Sequence, residues 1–239
     1  MSTARTEALR TILDAHGGPD HWRSLRRIDL EMSADGFLFT AKGVPPQRHV
    51  HLTISTQSPE AVLHDYPSPG LRAVLAGADR VEIRDAAGDV VEVRDHPRAC
   101  FSAMPWTPWD AMNFAYFCGY AMWNYLNLPF LLLEPSVDVD VVNGTAGAIV
   151  LDVRFPPGIP THSPVQRLYF EPNGRLYRHD YTAEVVGGWA RAVHLCTNYR
   201  RFGGLWLPAT RRVYPRGPFG RALPGPTLVA VDIHDVRSV

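Results

Sequence analysis

The chain lacks an excess of charge of either sign: 24 Lys and Arg stand against 24 Asp and Glu, for a formal net charge of zero. With no basic surplus to neutralise phosphates, nucleic acid is not an expected partner. Cysteine is scarce. Cys100, Cys118 and Cys196 are odd in number and lack metal-site spacing, which fits small buried thiols in a reducing compartment and not a disulfide framework. Also missing are a Gly-rich phosphate loop, a GxSxG elbow, a CxxC pair and an HExxH helix. Nucleotide-dependent and serine-hydrolase chemistry are therefore disfavoured, and no cofactor and no metal are expected. The N-terminal stretch MSTARTEALRTILDAHGG has no apolar h-region and no cleavage site, so no signal peptide is read and the expected location is cytoplasmic.

What the chain has is apolar content, 46% of its 239 residues, ample for a core. Much of it gathers in residues 105–134, PWTPWDAMNFAYFCGYAMWNYLNLPFLLLE. Thr107 can cap a helix there, Pro108 suits its first position, Asp110 follows three residues after the cap, and Pro129 ends it. Between these limits the helix is apolar almost all the way round. Its only polar seam is Asp110, Asn113, Tyr120, Asn124 and Asn127. The seam and Pro129 argue against a membrane span. A helix this apolar on most sides must be surrounded.

The rest reads mainly as strands. Residues 3–15 form an amphipathic helix on Ala8, Leu9, Ile12 and Leu13, stopped by Gly17 and Gly18, and residues 19–25 a further short helical turn. Period-2 alternation and turn residues then mark strands at 28–33, 37–41, 49–55, 61–66, 71–75, 80–84 and 90–94, with Asp35-Gly36 as a hairpin turn. After the helix come strands at 137–142, 148–155, 165–171, 175–183, 191–199, 205–213 and 228–236, with Asn143-Gly144 and Pro172-Asn173-Gly174 as turns. The expectation is a mainly antiparallel α+β fold in one domain, 1–239. About eleven to thirteen strands would make a single curved sheet, an incomplete β-barrel, around the central helix, with a helix at the N-terminus.

This order of elements resembles the bacterial lipoprotein carriers LolA and LolB, in which an incomplete β-barrel closes over helices and holds acyl chains in an apolar cavity. The chain is also similar to bacterial proteins of unassigned function that pair a GYAxWNY helix with a THS…RHDY hairpin, here 119–125 and 161–181. The first resemblance implies a LolA-like barrel with a hydrophobic small molecule or lipid as partner; the second brings no activity with it.

Several groups could carry chemistry. With a three-residue turn at 172–174, the hairpin register pairs Phe170 with Leu176, Leu168 with Arg178 and Gln166 with Asp180 on one face. The other face pairs Tyr169 with Tyr177, Arg167 with His179 and Val165 with Tyr181. Either Arg178, Asp180 and Gln166, or His179 and Tyr181, would then look into the barrel as anchors or acid–base groups. The structural alternative is a surface ladder or a buried ion pair. Thr161-His162-Ser163 lies extended between Pro160 and Pro164, a pocket mouth where His162 could act as base, or a solvated loop. His49 and His51 share one face of a strand, and a third metal ligand would have to come from His64, His179 or His194; two surface histidines are the plainer reading.

The function expected is binding of a hydrophobic small molecule or lipid between sheet and helix. Ligand contacts are expected from Asp110, Asn113, Tyr116, Tyr120, Trp123, Asn124, His162, Gln166 and Tyr181. The alternative is a cofactor-independent enzyme of cyclase or isomerase type, with His179, Asp180, Arg178 and Tyr120 as catalytic groups. The two differ in one feature: a carrier needs an almost wholly apolar lining, and an enzyme needs two titratable groups converging on one bound atom.

Overall fold

The structure, a computed structural model, describes residues 3–102, 104, 106–142 and 147–238. Its elements in chain order are α1 (Thr3–Asp14), α2 (Pro19–Ser24), β1 (Arg27–Asp35), α3 (Phe37–Ala41), β2 (Gln47–Ser55), β3 (Glu60–His64), β4 (Arg72–Ala76), β5 (Arg80–Arg84) and β6 (Val90–Asp95). There follow α4 (Ala111–Asn127), β7 (Asp138–Val142), β8 (Ile149–Arg154), β9 (Val165–Phe170), β10 (Leu176–Thr182), β11 (Arg191–Phe202), β12 (Leu205–Pro215) and β13 (Val229–Ser238). All thirteen strands join one open, curved antiparallel sheet in the order β6-β5-β4-β3-β2-β1-β13-β12-β11-β10-β9-β8-β7. Two meanders, β1–β6 and β7–β13, are thus zipped together by the pairing of β1 with β13. The chain crosses from one sheet edge, β6, to the other, β7, through α4.

That crossover explains why α4 is apolar all round. Every residue from Met112 to Asn127 is buried. Gly119 is where helix and sheet come closest, since a Cβ there would lie 3.1 Å from Leu75 Cβ. Trp123 donates its indole N–H to the Ser58 carbonyl at 2.7 Å, tying the helix to the β2–β3 turn. The core built on it runs from Trp22, stacked on Phe130 with ring centroids 4.4 Å apart, to Phe39, which meets Phe114 and Phe117 edge-on. A sheet with one solvated face buries the other only by wrapping such an element.

Three expectations need correction. The helix begins at Ala111, not after Thr107: Asp110 is its cap and accepts the Asn113 N–H at 2.8 Å. The preceding residues are drawn aside because the Trp109 N–H donates to the Lys42 carbonyl. Residues 37–41 are helix α3, not a strand. Gly36 runs so close to β13 that a Cβ would meet the Leu228 carbonyl oxygen at 2.5 Å, and the Phe37 and Leu38 N–H groups donate to Thr227 and Leu228. The chain then turns over α4 instead of folding straight back, and β1 pairs with β2 from Arg27↔Ser55 to Ala34↔Gln47. The third concerns hairpin β9–β10. Leu176 does pair with Phe170, but an irregularity follows, and Arg178 faces Tyr169, His179 faces Leu168 and Asp180 faces Arg167. The Asn143-Gly144 turn lies outside the described residues.

Candidate functional site

An apolar cavity of about 370 Å³ opens beside α4. Its walls come from α3 (Phe37, Leu38, Ala41), from Phe117 of α4, from the β10–β11 connection (Ala183, Val186, Trp189, Ala190) and from Ala192, Val213 and Val229 on β11–β13. Trp106, Trp189 and Phe37 stand at its border, exposed by 68%, 63% and 45%. The short helix α3, misread from sequence as a strand, is therefore part of the wall.

Among the interior polar residues, His162 and Tyr181 line this cavity. Their rings stack at 4.1 Å. His162 lies in the extended 161–164 segment and is buried, not solvated. Arg98 holds that segment by donating to the Thr161 and His162 carbonyls, both at 2.7 Å, and to Glu184 at 2.9 Å. Tyr120 hydroxyl meets His162 Nδ1 at 3.0 Å, Tyr125 hydroxyl meets Nε2 at 2.6 Å, and the Tyr125 and Tyr181 hydroxyls meet at 3.1 Å. Burial, with the Arg98 charge adding to it, holds His162 well below its usual pKa. It is neutral, with one donor and one acceptor nitrogen, and both are engaged by phenols.

The bulge after Leu176 decides which face of β10 looks inward. His179 and Tyr181 are buried against Tyr125, with ring centroids 6.3 Å from His179 to Tyr125 and 4.9 Å between His179 and Tyr181. Gln166 joins them: its carbonyl oxygen contacts His179 Nε2, and its amide donates to the Ser163 carbonyl at 2.8 Å. Burial, with the Arg211 charge adding to it, lowers the His179 pKa to about 3. Arg178 and Asp180 go elsewhere. They bind each other through two hydrogen bonds of 2.7 Å, with Arg216 beside Asp180 at 3.3 Å and the Gly220 carbonyl accepting from Arg178. The four candidate catalytic groups thus divide: Tyr120 and His179 are interior, and Arg178 and Asp180 form a separate ion pair.

The helix seam divides too. Asp110 and Asn113 bind Arg94 at the helix N-terminus, away from the cavity lining. Burial would raise the Asp110 pKa, but the Arg94 hydrogen bond and the Asn113 N–H outweigh it and hold the carboxyl low. Tyr116 donates to the Ala78 carbonyl at 3.3 Å. Asn127 donates to the Ser55 and Trp123 carbonyls. Asn124 is buried with neither amide atom partnered. Of the nine expected ligand contacts, two line the cavity, and Tyr120 stands one hydrogen bond behind.

Sequence reading missed Tyr125, the hub of the phenol–imidazole chain, because it lies off the polar seam of the helix. It also missed Arg211, which is buried with its guanidinium 4.9 Å over the Tyr125 ring. The available signal was phase: Arg211, unlike its neighbour Arg212, falls in step with the inward-facing Leu205, Leu207, Ala209 and Val213. The His49–His51 pair does not assemble. His49 takes a left-handed backbone (φ 50°) and binds Glu31 at 2.6 Å. His64 binds Thr53, while His179 and His194 lie in the core. Among the described residues, no group of three or more His, Cys, Asp or Glu could hold a metal. Cys118 and Cys196 are buried thiols, but Cys100 is exposed. No described helix is long and apolar enough to cross a membrane.

No family model matches the chain, and no curated protein matches it in sequence. Solved structures do match in fold. A LolA superfamily protein from Nitrosomonas europaea superposes with a TM-score of 0.52 at 8% identity, covering 97% of this chain and 92% of that one. A DUF1329 family protein from Desulfovibrio piger superposes with a TM-score of 0.51 at 12% identity, covering 98% and 92%. An open antiparallel sheet curled around a mid-chain helix, matched over nearly its whole length, is a LolA-like fold.

Proposed function

We propose that the protein binds a hydrophobic small molecule or lipid chain in the cavity beside α4. The observation that carries this is the lining: mostly apolar side chains, with Arg191, Arg216, His162 and Tyr181 as its polar members, and exposed Trp106 and Trp189 at the border. A cavity of about 370 Å³ is within the range of small-molecule sites. Exposed aromatic rings around an apolar opening are costly in water unless they meet a partner. The LolA-like fold supports the same reading.

The polar residues on the wall favour binding over catalysis. Both nitrogens of His162 are occupied by the Tyr120 and Tyr125 hydroxyls, so neither is free to take a proton from a guest. Arg178 and Asp180 satisfy each other, and Asp180 meets the cavity lining only through its ion pair with Arg216. One observation favours the enzymatic alternative: the Tyr120–His162–Tyr125–Tyr181 chain is a continuous proton path that reaches the cavity wall at Tyr181.

Native mass spectrometry of the protein purified from its own host tests the binding reading. A non-covalent apolar adduct, diminished in Ala183→Trp where the indole fills the cavity, is the expected result. A bare protein mass that also fails to take up added long-chain alcohol would overturn it.

A further inference from the structure

Behind the cavity floor, the inner face of β10–β12 carries polar atoms without partners. His179 faces His194 across β10 and β11, and His194 faces Val213 across β11 and β12. Further along the same face, Cys196 pairs with Arg211, which puts the guanidinium diagonal to the His194 imidazole. Arg211 is 2% exposed and both histidines 0%. Arg211 donates to Cys196 Sγ and to the Tyr125 carbonyl, both at 3.4 Å and both neutral acceptors. Its Nε, both nitrogens of His194 and His179 Nδ1 have no hydrogen-bond partner.

This is an unusual interior. Buried charges are ordinarily paired, and a buried donor left without a partner costs about 1–3 kcal/mol. The imidazoles do not supply the missing counter-charge. Burial holds both well below their usual pKa, and the Arg211 charge adds to it, so they are neutral. This buried cluster therefore presents one fixed positive charge, a free N–H on it, and neutral ring nitrogens beside it. Tyr181 stands between this buried cluster and the cavity. Its ring lines the cavity and packs against His179 at 4.9 Å and His194 at 6.1 Å.

We propose that Arg211, with His194 and His179, receives the carboxylate end of an amphiphilic guest whose apolar chain occupies the cavity. The proposal rests on the binding reading above and adds the chemical class of the guest. One guanidinium flanked by neutral imidazoles matches a single negative charge, and its planar fork suits a carboxylate. A phosphate monoester, carrying between one and two charges at neutral pH, would stay under-compensated. In this pose the Tyr181 ring must swing aside to admit the head group, and the tail lies toward Trp106 and Trp189.

Isothermal calorimetry with dodecanoate and dodecanol at pH 8 tests this. Dodecanoate is expected to bind at least tenfold more tightly than the alcohol of the same chain length. Arg211→Gln should abolish the preference for the acid, bringing the acid-to-alcohol affinity ratio to about one. Equal affinities for acid and alcohol in the unmodified protein would overturn the proposal while leaving the cavity reading intact. An acid preference that survives Arg211→Gln would overturn it as well, and binding of neither ligand would overturn both readings. Should Arg211→Gln not fold, the acid-to-alcohol ratio of the unmodified protein decides alone.

Discussion

Tyr125 does three things with one side chain: its hydroxyl bonds His162 and Tyr181, and its ring receives the Arg211 guanidinium. Tyr125→Phe keeps the ring and removes the hydroxyl, leaving His162 Nε2 and the Tyr181 hydroxyl short of a partner in a buried place. The cost expected is about 1–3 kcal/mol, read as a lower urea midpoint with an unchanged slope. The buried imidazoles set a pH dependence. His16 and His179 have pKa values lowered to about 4 and about 3, and His162 and His194 are lowered well below normal, in every case chiefly by burial. The unfolded chain takes up protons at these positions below about pH 6.5, and the folded chain does not. Their contribution to stability is therefore whole above that pH and shrinks as pH falls toward the folded values, by up to about 1.4 kcal/mol per pH unit for each imidazole. Urea midpoints measured from pH 8 to pH 4.5 should fall steadily below pH 6.5. A flat profile over that span would mean the imidazoles are not buried neutral. The sequence showed the histidines but not their fate, because burial at His162 depends on a loop clamp by Arg98 sixty-odd residues away in the chain.

At the scale of elements, α4 depends on its cap and on one close approach. Asp110→Ala removes the Asn113 N–H bond and should cost about 1 kcal/mol in urea denaturation. Gly119→Val should cost several times more, because the added atoms press on Leu75, whose Cβ a first carbon would already meet at 3.1 Å. The greater loss at Gly119 would show that the helix is held chiefly by its fit to the sheet. The helix itself was readable from its all-round apolar surface. Its first turn was not, because Thr107 followed by Pro108 reads as the start, and only the Trp109 bond to Lys42, from a distant segment, moves the cap to Asp110. Residues 37–41 are too short for a period to separate helix from strand, and the approach of Gly36 to β13 decides between them. The β9–β10 hairpin was located correctly, yet a single irregularity after Leu176 shifted every later pair by one. That shift broke up the expected pairing of Gln166 with Asp180 and set Gln166 beside His179.

For the whole molecule, the strands and their antiparallel order were legible because alternation and turn residues are local signals. What could not be read is that β13 returns to pair with β1, and so brings α3 from one meander against β11–β13 of the other. The cavity exists only through that closure, which is why its wall was poorly foreseen while the fold was not. An apolar cavity of this kind predicts affinity that rises with chain length, by about 0.8 kcal/mol per added methylene until the space is filled. Occupancy should also raise the midpoint of thermal unfolding, since a guest held by the folded form alone stabilises it. The most direct measurement is a titration of the protein with a long-chain alcohol brominated on its tail, followed by tryptophan fluorescence. Trp106 and Trp189 border the cavity, so quenching should saturate at one guest per chain, and Ala183→Trp should weaken binding at least tenfold. Quenching that rises without saturation, or that is indifferent to Ala183→Trp, would contradict a guest in this cavity.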